Sequence, residues 1–593
     1  MAVITPIKLQ TAVEHGFKRM KHARKARAMF VKQAVGQYYR EKFGITNDEP
    51  INLLFHAVSI FVANLVMRRP TVDISTDILP YQEYGNLLGM AVDRLNEEIK
   101  LKDTLRKWVV DAFFGLSILK TGIARSTNLF NMQNELCDAG QPYTSHVDLD
   151  NFVFDAVCTD LNESAFYGDR IPVPREVLLN DKYVNKDLVA KLPSISQINE
   201  GDNVKDITRK NQGVVNYNSL YDMINVVELW IPDAGIDVLI PDPSQYKCND
   251  FIKVTDYYGP EEGRYTFLSV TAPVPGNPFP VAPVGLWYDL HIMANRIFKK
   301  IINQSDRQKD VLLYDPANAD EAQDILESKD ADAIGVTDPT KFNSLSLGGA
   351  NKDNVAILSQ FQLWFNYMAG NPDQMAGMSD AESATQADIN QSNSMVKLSD
   401  MRDVLYDRTS EVIKKEAFYL HYDPLIELPM VRRLPGGESE QVILTPEQQE
   451  GNYLDYNYNI RAKSMAKLDE TLVTRRMLDF AVKVLPGVVN AAMIAMQMGT
   501  EFNLQRALTD IAEKMDIANE VSDWFKDPEY MKKIERMMQM NPKPDEGKGI
   551  VQNGQSPFSA ATKNPTQEKN ASRQERAGEA QRFLGNKETK QWG

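Results

Sequence analysis

Leu398, Leu405, Val412 and Tyr419 recur every seven residues within 383–420, a stretch that stays helix-competent for more than thirty positions. The first third of that stretch, "SATQADINQSN", offers a core little beyond Ile389. A long helix is therefore expected, packed at its C-terminal end and weakly anchored at its start. Just before it stands "NPDQMAGMSDAESATQADINQSN" (371–393), and before that "NVAILSQFQLWFNYMAG", dense in large apolar side chains. A hydrophobic helix broken by a Gly/Met/Asp loop and resumed as a helix poor in core residues has two readings: an exposed helix–helix turn, or a loop that faces a hole and not a core.

The remaining chain supplies the parts around this feature. Residues 8–43 read as helix ending near Gly44, and 50–68 as a second helix that stops before Pro70, which pushes its predecessor out of helical geometry. A third is expected over 84–119, with Leu95, Ile99, Leu105, Val109, Phe113 and Leu116 on one face and Gly122 beyond its end. From about 145 to 270 the runs are short and β-like: "NFVFDAV", "VVELWI", "IDVLI", "DFIKVTDYY", "YTFLSV". The fold class is thus α+β, with a helical front and a sheet-rich centre. "TAPVPGNPFPVAPVG" (271–285) has five prolines and reads as a stiff connector.

An amphipathic helix follows over 285–307, about 35 Å long, with Leu286, Leu290, Met293, Ile297 and Ile301 as its apolar stripe. Residues 308–351 form a compact insert of strand "VLLYD", helix "ADEAQDILES", and strands "DAIGV" and "FNSLSL". The helix 352–369 then brings the chain back, so the two helices make a stalk carrying a small α/β head. "RRLPGGESEQVILTPEQ" reads as a hairpin return, 465–540 as further helices, and 541–593 as a disordered polar tail.

Composition narrows the chemistry. The chain has 593 residues, a net charge of −15 and three widely spaced cysteines, which suits a reducing cytosol and excludes a disulfide scaffold. The longest apolar run, "LLFHAVSIFVANLVM", is too short to span a bilayer, so a soluble protein without a membrane partner is expected. Against the acidic total, Lys18, Arg19, Lys21, Arg24, Lys25, Arg27 and Lys32 follow one another without an acid, as in an arm for an anionic partner. No phosphate-binding G-x-x-x-x-G-K-[ST], no G-x-S-x-G and no H-E-x-x-H occurs, and the six histidines lack companions at ligand spacing. "DLDNFVFDAVCTD" carries Asp148, Asp150, Asp155 and Asp160, but Phe152 and Val153 stand where a calcium loop needs an oxygen ligand and a glycine. No enzyme activity, cofactor or metal is expected.

The order of parts resembles the portal, or head-to-tail connector, proteins of tailed bacteriophages, most of all those of short-tailed phages. The resemblance rests on "DAFFGLSILKTG", "DLDNFVFDA", "PVPGNPFPVAPVG" and the segment from Leu286 to Tyr422, taken in succession and covering nearly the whole chain. It implies a homo-oligomeric ring, usually a dodecamer, around a channel for double-stranded DNA at a capsid vertex of the virion, assembled in the host cytoplasm. Under it, 1–280 are N-terminal helices and wing, 281–307 and 352–370 the stem helices, and 308–351 the clip. Residues 371–383 would be the tunnel loop, 384–464 the long helix and wing return, and 465–540 the crown.

Asp373, Gln374, Met375, Met378, Ser379 and Asp380 would line the channel; methionines give soft contacts and acids discourage adhesion to phosphate. Arg296, Lys299, Lys300 and Asn303 would face the channel or a neighbouring subunit. Asp330, Asp332, Asp338 and Lys341 would dock the terminase motor and later a tail adaptor, and the basic arm would meet capsid protein, scaffolding protein or DNA. Two other classes stay open: another structural component of the virion, and a packaging enzyme, for which the phosphate loop is missing.

Overall fold

A computed structural model of the chain describes residues 4–43, 51–195 apart from 125–128, 133–134 and 139, 220–329 apart from 248, 333–375, 384–433, 439–465 apart from 462–463, 477–497, and five positions between 507 and 515. The chain divides into two compact units, 1–474 and 475–593. Mixed helix and strand make it an α+β protein.

The first unit opens with α1 (Pro6–Arg19) and α2 (Lys21–Phe43), two helices separated at Met20 where one had been expected over 8–43. After α3 (Leu53–Leu65) and β1 (Val72–Ser75) come α4 (Gln82–Glu98) and α5 (Leu101–Ala112). The single helix expected over 84–119 is thus two helices and a strand. Lys100 turns the chain in a left-handed conformation (φ 52°), and Ser117–Ala124 is β2, the central strand of a three-stranded sheet. The helical spacing of its apolar residues is overridden because β2 pairs on both sides and buries Ile118, Leu119, Lys120 and Thr121. Sheet structure therefore begins well before 145.

A sheet-rich stretch follows: β3 (Leu129–Met132), β4 (Glu135–Asp138), β5 (Gln141–Val147), β6 (Phe152–Phe154), β7 (Tyr167–Pro174), the short helices α6 (Arg175–Asn180) and α7 (Lys186–Lys191), then β8 (Met223–Ile231), β9 (Ile236–Pro241), β10 (Lys253–Asp256) and β11 (Tyr265–Leu268). An antiparallel sheet runs β10-β9-β8-β7-β6, and a smaller one runs β11-β2-β5. Alternation along β8 feeds two layers: Val227, Leu229 and Ile231 pack under α1, while Ile224 and Val226 pack with α6 and α7. Gly16 lets α1 lie directly on β6, since a Cβ there would stand 2.4 Å from the Phe154 carbonyl oxygen.

Beyond the proline-rich connector come α8 (Pro283–Ser305), β12 (Lys309–Tyr314), α9 (Ala319–Glu327), β13 (Phe342–Leu347) and α10 (Lys352–Ala369). Residues 333–336, within the expected strand "DAIGV", are irregular. The long helix α11 (Ala384–His421) buries Leu398, Leu405, Val412 and Tyr419, the four residues of the seven-residue repeat. A hairpin of β14 (Leu428–Arg433) and β15 (Ser439–Leu444) and the strand β16 (Asn457–Ile460), which pairs with β1, close this unit. In the second unit, a π-helical turn Phe480–Val484 precedes α12 (Leu485–Gln497), where Pro486 has no N–H to continue the regular ladder. Most of the expected crown and all of the polar tail fall outside the described residues.

Charged groups buried between these sheets are paired. Lys120 donates to Asp169 at 2.7 Å and to Glu228 at 2.6 Å, and Arg264 donates to Glu228 at 2.5 Å. The long helix adds two more buried groups. Lys415 donates to the Tyr265 carbonyl at 2.6 Å and the Thr266 hydroxyl at 2.8 Å, while Glu416 accepts from the Thr144 hydroxyl at 2.7 Å. Burial, without a cationic partner, pushes the Glu416 carboxyl up to about 8. The native state thus keeps a proton that the unfolded chain releases near 4.5, and stability falls as pH rises from about 4.5 to about 8. Glu416→Gln removes this dependence. The melting temperature of the variant relative to wild type should be higher at pH 8 than at pH 5.5, as measured by calorimetry; an equal difference at both pH values contradicts the assignment.

Candidate functional site

The helices α8 and α10 lie antiparallel, with Trp287 beside Phe365 at one end and Gln304 beside Asn351 and Asn354 at the other. At the inner end Trp287 is fully buried and its ring lies 6.0 Å from Phe61, 6.2 Å from Phe113 and 6.1 Å from Phe365. At the outer end the clasp is polar. Gln304 Oε1 accepts from the Asn354 side chain at 2.9 Å and from the Asn351 N–H at 3.3 Å.

The buried face of α8 differs from the expected stripe. It consists of Val284, Trp287, His291, Ala294 and Asn295, whereas Leu286 and Met293 are 47% and 46% exposed. The cause is a backbone partner: Asn295 accepts from the Ile51 N–H at 3.0 Å and donates to the Ile51 carbonyl at 2.9 Å. Asn295 is thereby satisfied inside, and of the expected stripe Leu286 and Met293 turn outward while Leu290, Ile297 and Ile301 stay half-buried. Burial holds His291 neutral, its pKa pushed down to about 4. On α10 only Asn354, Phe365 and Ala369 are buried; Leu363, Trp364 and Tyr367 are 62%, 49% and 81% exposed.

The insert carried by these helices has a two-stranded sheet, β12 paired antiparallel with β13 from Lys309↔Leu347 to Tyr314↔Phe342. Val311, Leu313, Tyr314, Leu345 and Leu347 are exposed on it. Two strands alone are marginal in water, so this sheet depends on further cover. Asp338 is occupied locally, accepting from the Thr340 N–H at 3.0 Å and hydroxyl at 2.7 Å, and Lys341 lies 3.6 Å from Asp315. Asp330 and Asp332 fall outside the described residues. Arg296, Lys299, Lys300 and Asn303 are all exposed on α8, with Lys300 reaching Asn354 at 3.5 Å.

The expected channel loop begins as a single helical turn, Pro372–Met375. Gly370 ends α10 in the left-handed region (φ 88°), and Asn371 follows at φ 57°. Lys397 of α11 reaches across to donate to the Met368 carbonyl at 3.0 Å, which caps α10. A Cβ on Gly370 would stand 2.9 Å from Lys397 Cδ, so this approach requires glycine twice over. Asp373 accepts from Asn366 at 2.6 Å and lies 3.4 Å from His56 Nε2. Met375 packs half-buried on the main core, so its thioether serves the fold of this subunit. Gln374 belongs to the same turn, while Met378, Ser379 and Asp380 lie outside the described residues.

The basic arm is not a free tether. Its arginines turn inward: Arg27 pairs with Asp111 at 2.6 Å and Asp148 at 2.8 Å, Arg24 donates to the Phe152 carbonyl at 2.8 Å, and Arg19 to the Ala156 carbonyl at 2.6 Å. Asp148, met in the sequence as part of a poor calcium loop, is thereby a guanidinium acceptor. Lys18, Lys21, Lys25 and Lys32 remain exposed. Planar guanidinium groups reach several backbone carbonyls at once, which ammonium groups cannot do as well.

Sequence reading missed Lys397 and the outward face of α10. The second had a signal: apolar residues surround α10 on nearly every side, and a helix apolar all round requires cover all round. Among the described residues no helix is long and apolar enough to cross a membrane. No protein-family model and no curated protein matches the chain.

Lys397→Met keeps the aliphatic stem but removes the cap on α10. Hydrogen exchange at the amides of 367–371 should quicken by about tenfold, the equivalent of one lost hydrogen bond. Unchanged exchange there would show that Lys397 does not hold this turn.

Proposed function

We propose that this chain is a ring-forming structural subunit of the portal, or head-to-tail connector, type, working at one vertex of a phage capsid as the conduit for double-stranded DNA. The observation that carries this reading is the apolar surface which the stalk and insert leave in water. It comprises Leu286 and Met293 of α8, Leu363, Trp364 and Tyr367 of α10, and Leu313, Tyr314, Leu345 and Leu347 of the insert. An exposed apolar surface of this extent on one hairpin marks an association site. The unpaired edges of β12 and β13 point the same way, since each presents backbone donors and acceptors that another strand satisfies. Copies joined side by side through a heterologous contact close into a ring when the rotation between them divides the circle.

In this reading α8 and α10 are the stem, 308–351 the clip, and Pro372–Met375 the start of the tunnel loop, held by Asn366, His56 and Lys397. Twelve copies are the expected number. An acidic subunit suits a bore through which DNA must slide, because each phosphate neutralised by a wall cation adds to binding. The clip would meet the packaging motor and later a tail adaptor, and the wing would meet capsid or scaffolding protein. The reading places the protein in the virion and assigns it no catalytic step.

Leu363→Glu combined with Tyr367→Glu alters only exposed positions of α10. Sedimentation velocity should show the wild type as a large discrete oligomer and the variant as monomer, with unchanged circular dichroism. A variant that assembles like wild type would remove the stem from the contact.

A further inference from the structure

The division of the N-terminal basic residues by type leaves a surface that the conduit reading does not use. Over 18–32 Arg19, Arg24 and Arg27 turn inward, while Lys18, Lys21, Lys25 and Lys32 stand outside at spacings of three, four and seven residues. That spacing keeps Lys21, Lys25 and Lys32 on one side of α2, along about 17 Å at 1.5 Å per residue, with Lys18 on the last turn of α1. His22 is exposed among them. Glu14 pairs with Lys18 at 2.8 Å, and its carboxyl is held below the usual range by that hydrogen bond and charge, with Lys247 and His15 adding theirs. Lys247, exposed just beyond β9, thus brings a second element of the wing to the same face.

The ridge is rigidly mounted. Arg27 sits between Asp111 and Asp148, Arg24 donates to the backbone around β6 and lies 4.9 Å from the Phe17 ring, and Gly16 seats α1 on the Phe154 carbonyl. The geometry points to a binding face for the phosphate backbone of duplex DNA, on the wing and apart from any channel. An acidic protein partner is disfavoured by the lack of an apolar centre: Met29 is the one large apolar side chain exposed among these lysines in the described residues. Protein interfaces draw their energy from buried aromatic or apolar anchors, whereas a backbone-tracking site needs only point charges at intervals. Duplex DNA offers about five phosphates per strand over about 17 Å, enough to engage the lysines of α2 with Lys18 beside them.

This inference stands apart from ring formation and is tested with DNA that cannot enter a ring. The full-length protein is titrated with covalently closed circular duplex DNA by filter binding at several salt concentrations. Four lysine–phosphate contacts predict a slope of log affinity against log salt of about −3.6. Lys18→Gln, Lys21→Gln, Lys25→Gln and Lys32→Gln together should bring the slope near zero and weaken binding at least about tenfold at low salt. The charge-matched control Lys107→Gln, Lys182→Gln, Lys186→Gln and Lys191→Gln, at exposed positions elsewhere, should bind like wild type. Equal binding by wild type and ridge variant, or equal loss in the control, overturns the assignment. So does competition by polyglutamate as effective, charge for charge, as that by linear DNA, which would mark an acidic protein as the partner.

Discussion

Trp287 is fully buried where α3, the end of α5, α8 and α10 meet, and the direction of the hairpin of α8 and α10 depends on this contact. Its ring touches Phe61, Phe113 and Phe365, so three separate segments of the chain grip α8 within its first turn and a half. Large aromatic side chains in such positions are worth several kilocalories per mole each, and truncation leaves a cavity that neighbours cannot fill. A little further along, Asn295 finishes the anchorage by engaging the chain at Ile51, with His291 beside it against Gln33. Beyond Asn295 no residue of α8 is buried, and the polar clasp of Gln304 with Asn351 and Asn354 holds the outer end.

The same junction sets up an imbalance. Aromatic anchorage at the base fixes the rotation of α8, and that rotation turns Leu286 and Met293 to the outside. The partner helix α10, apolar on nearly all sides, has only one side to offer to α8. The chain therefore holds a well-made core in its body and leaves apolar side chains exposed on its hairpin. Hydrophobic area left in water is the driving force for association, and the hairpin carries several such side chains close together. Lys397 and the His56–Asp373 contact then fix how the chain leaves α10 towards α11.

How much of this could be read in the sequence depended on whether the deciding contact was local. Leu398, Leu405, Val412 and Tyr419 were legible because heptad spacing on a long helix leaves little choice of face. The short β-like runs of the wing were legible through their alternation and punctuation. Residues 84–119 misled because Leu105, Val109, Phe113 and Leu116 keep helical spacing across a point where pairing with β5 and β11 takes over. The stripe on α8 misled for a similar reason: Asn295 is polar, and its burial is decided by a backbone segment some 240 positions away. The charge run at 18–32 was visible as a run, yet its division into buried arginines and exposed lysines required the carboxylates of Asp111 and Asp148 to be placed. Lys397 gave no signal at all, since a helix-capping lysine from a distant helix has no sequence spacing to detect.

Electron microscopy of the purified full-length chain tests the central claim most directly. The account predicts closed rings with a central opening, in which the hairpin of α8 and α10 contacts the neighbouring copy and the turn at 372–375 borders the opening. Single particles of subunit mass, or assemblies in which Leu363 and Tyr367 remain in solvent away from every copy contact, would contradict it.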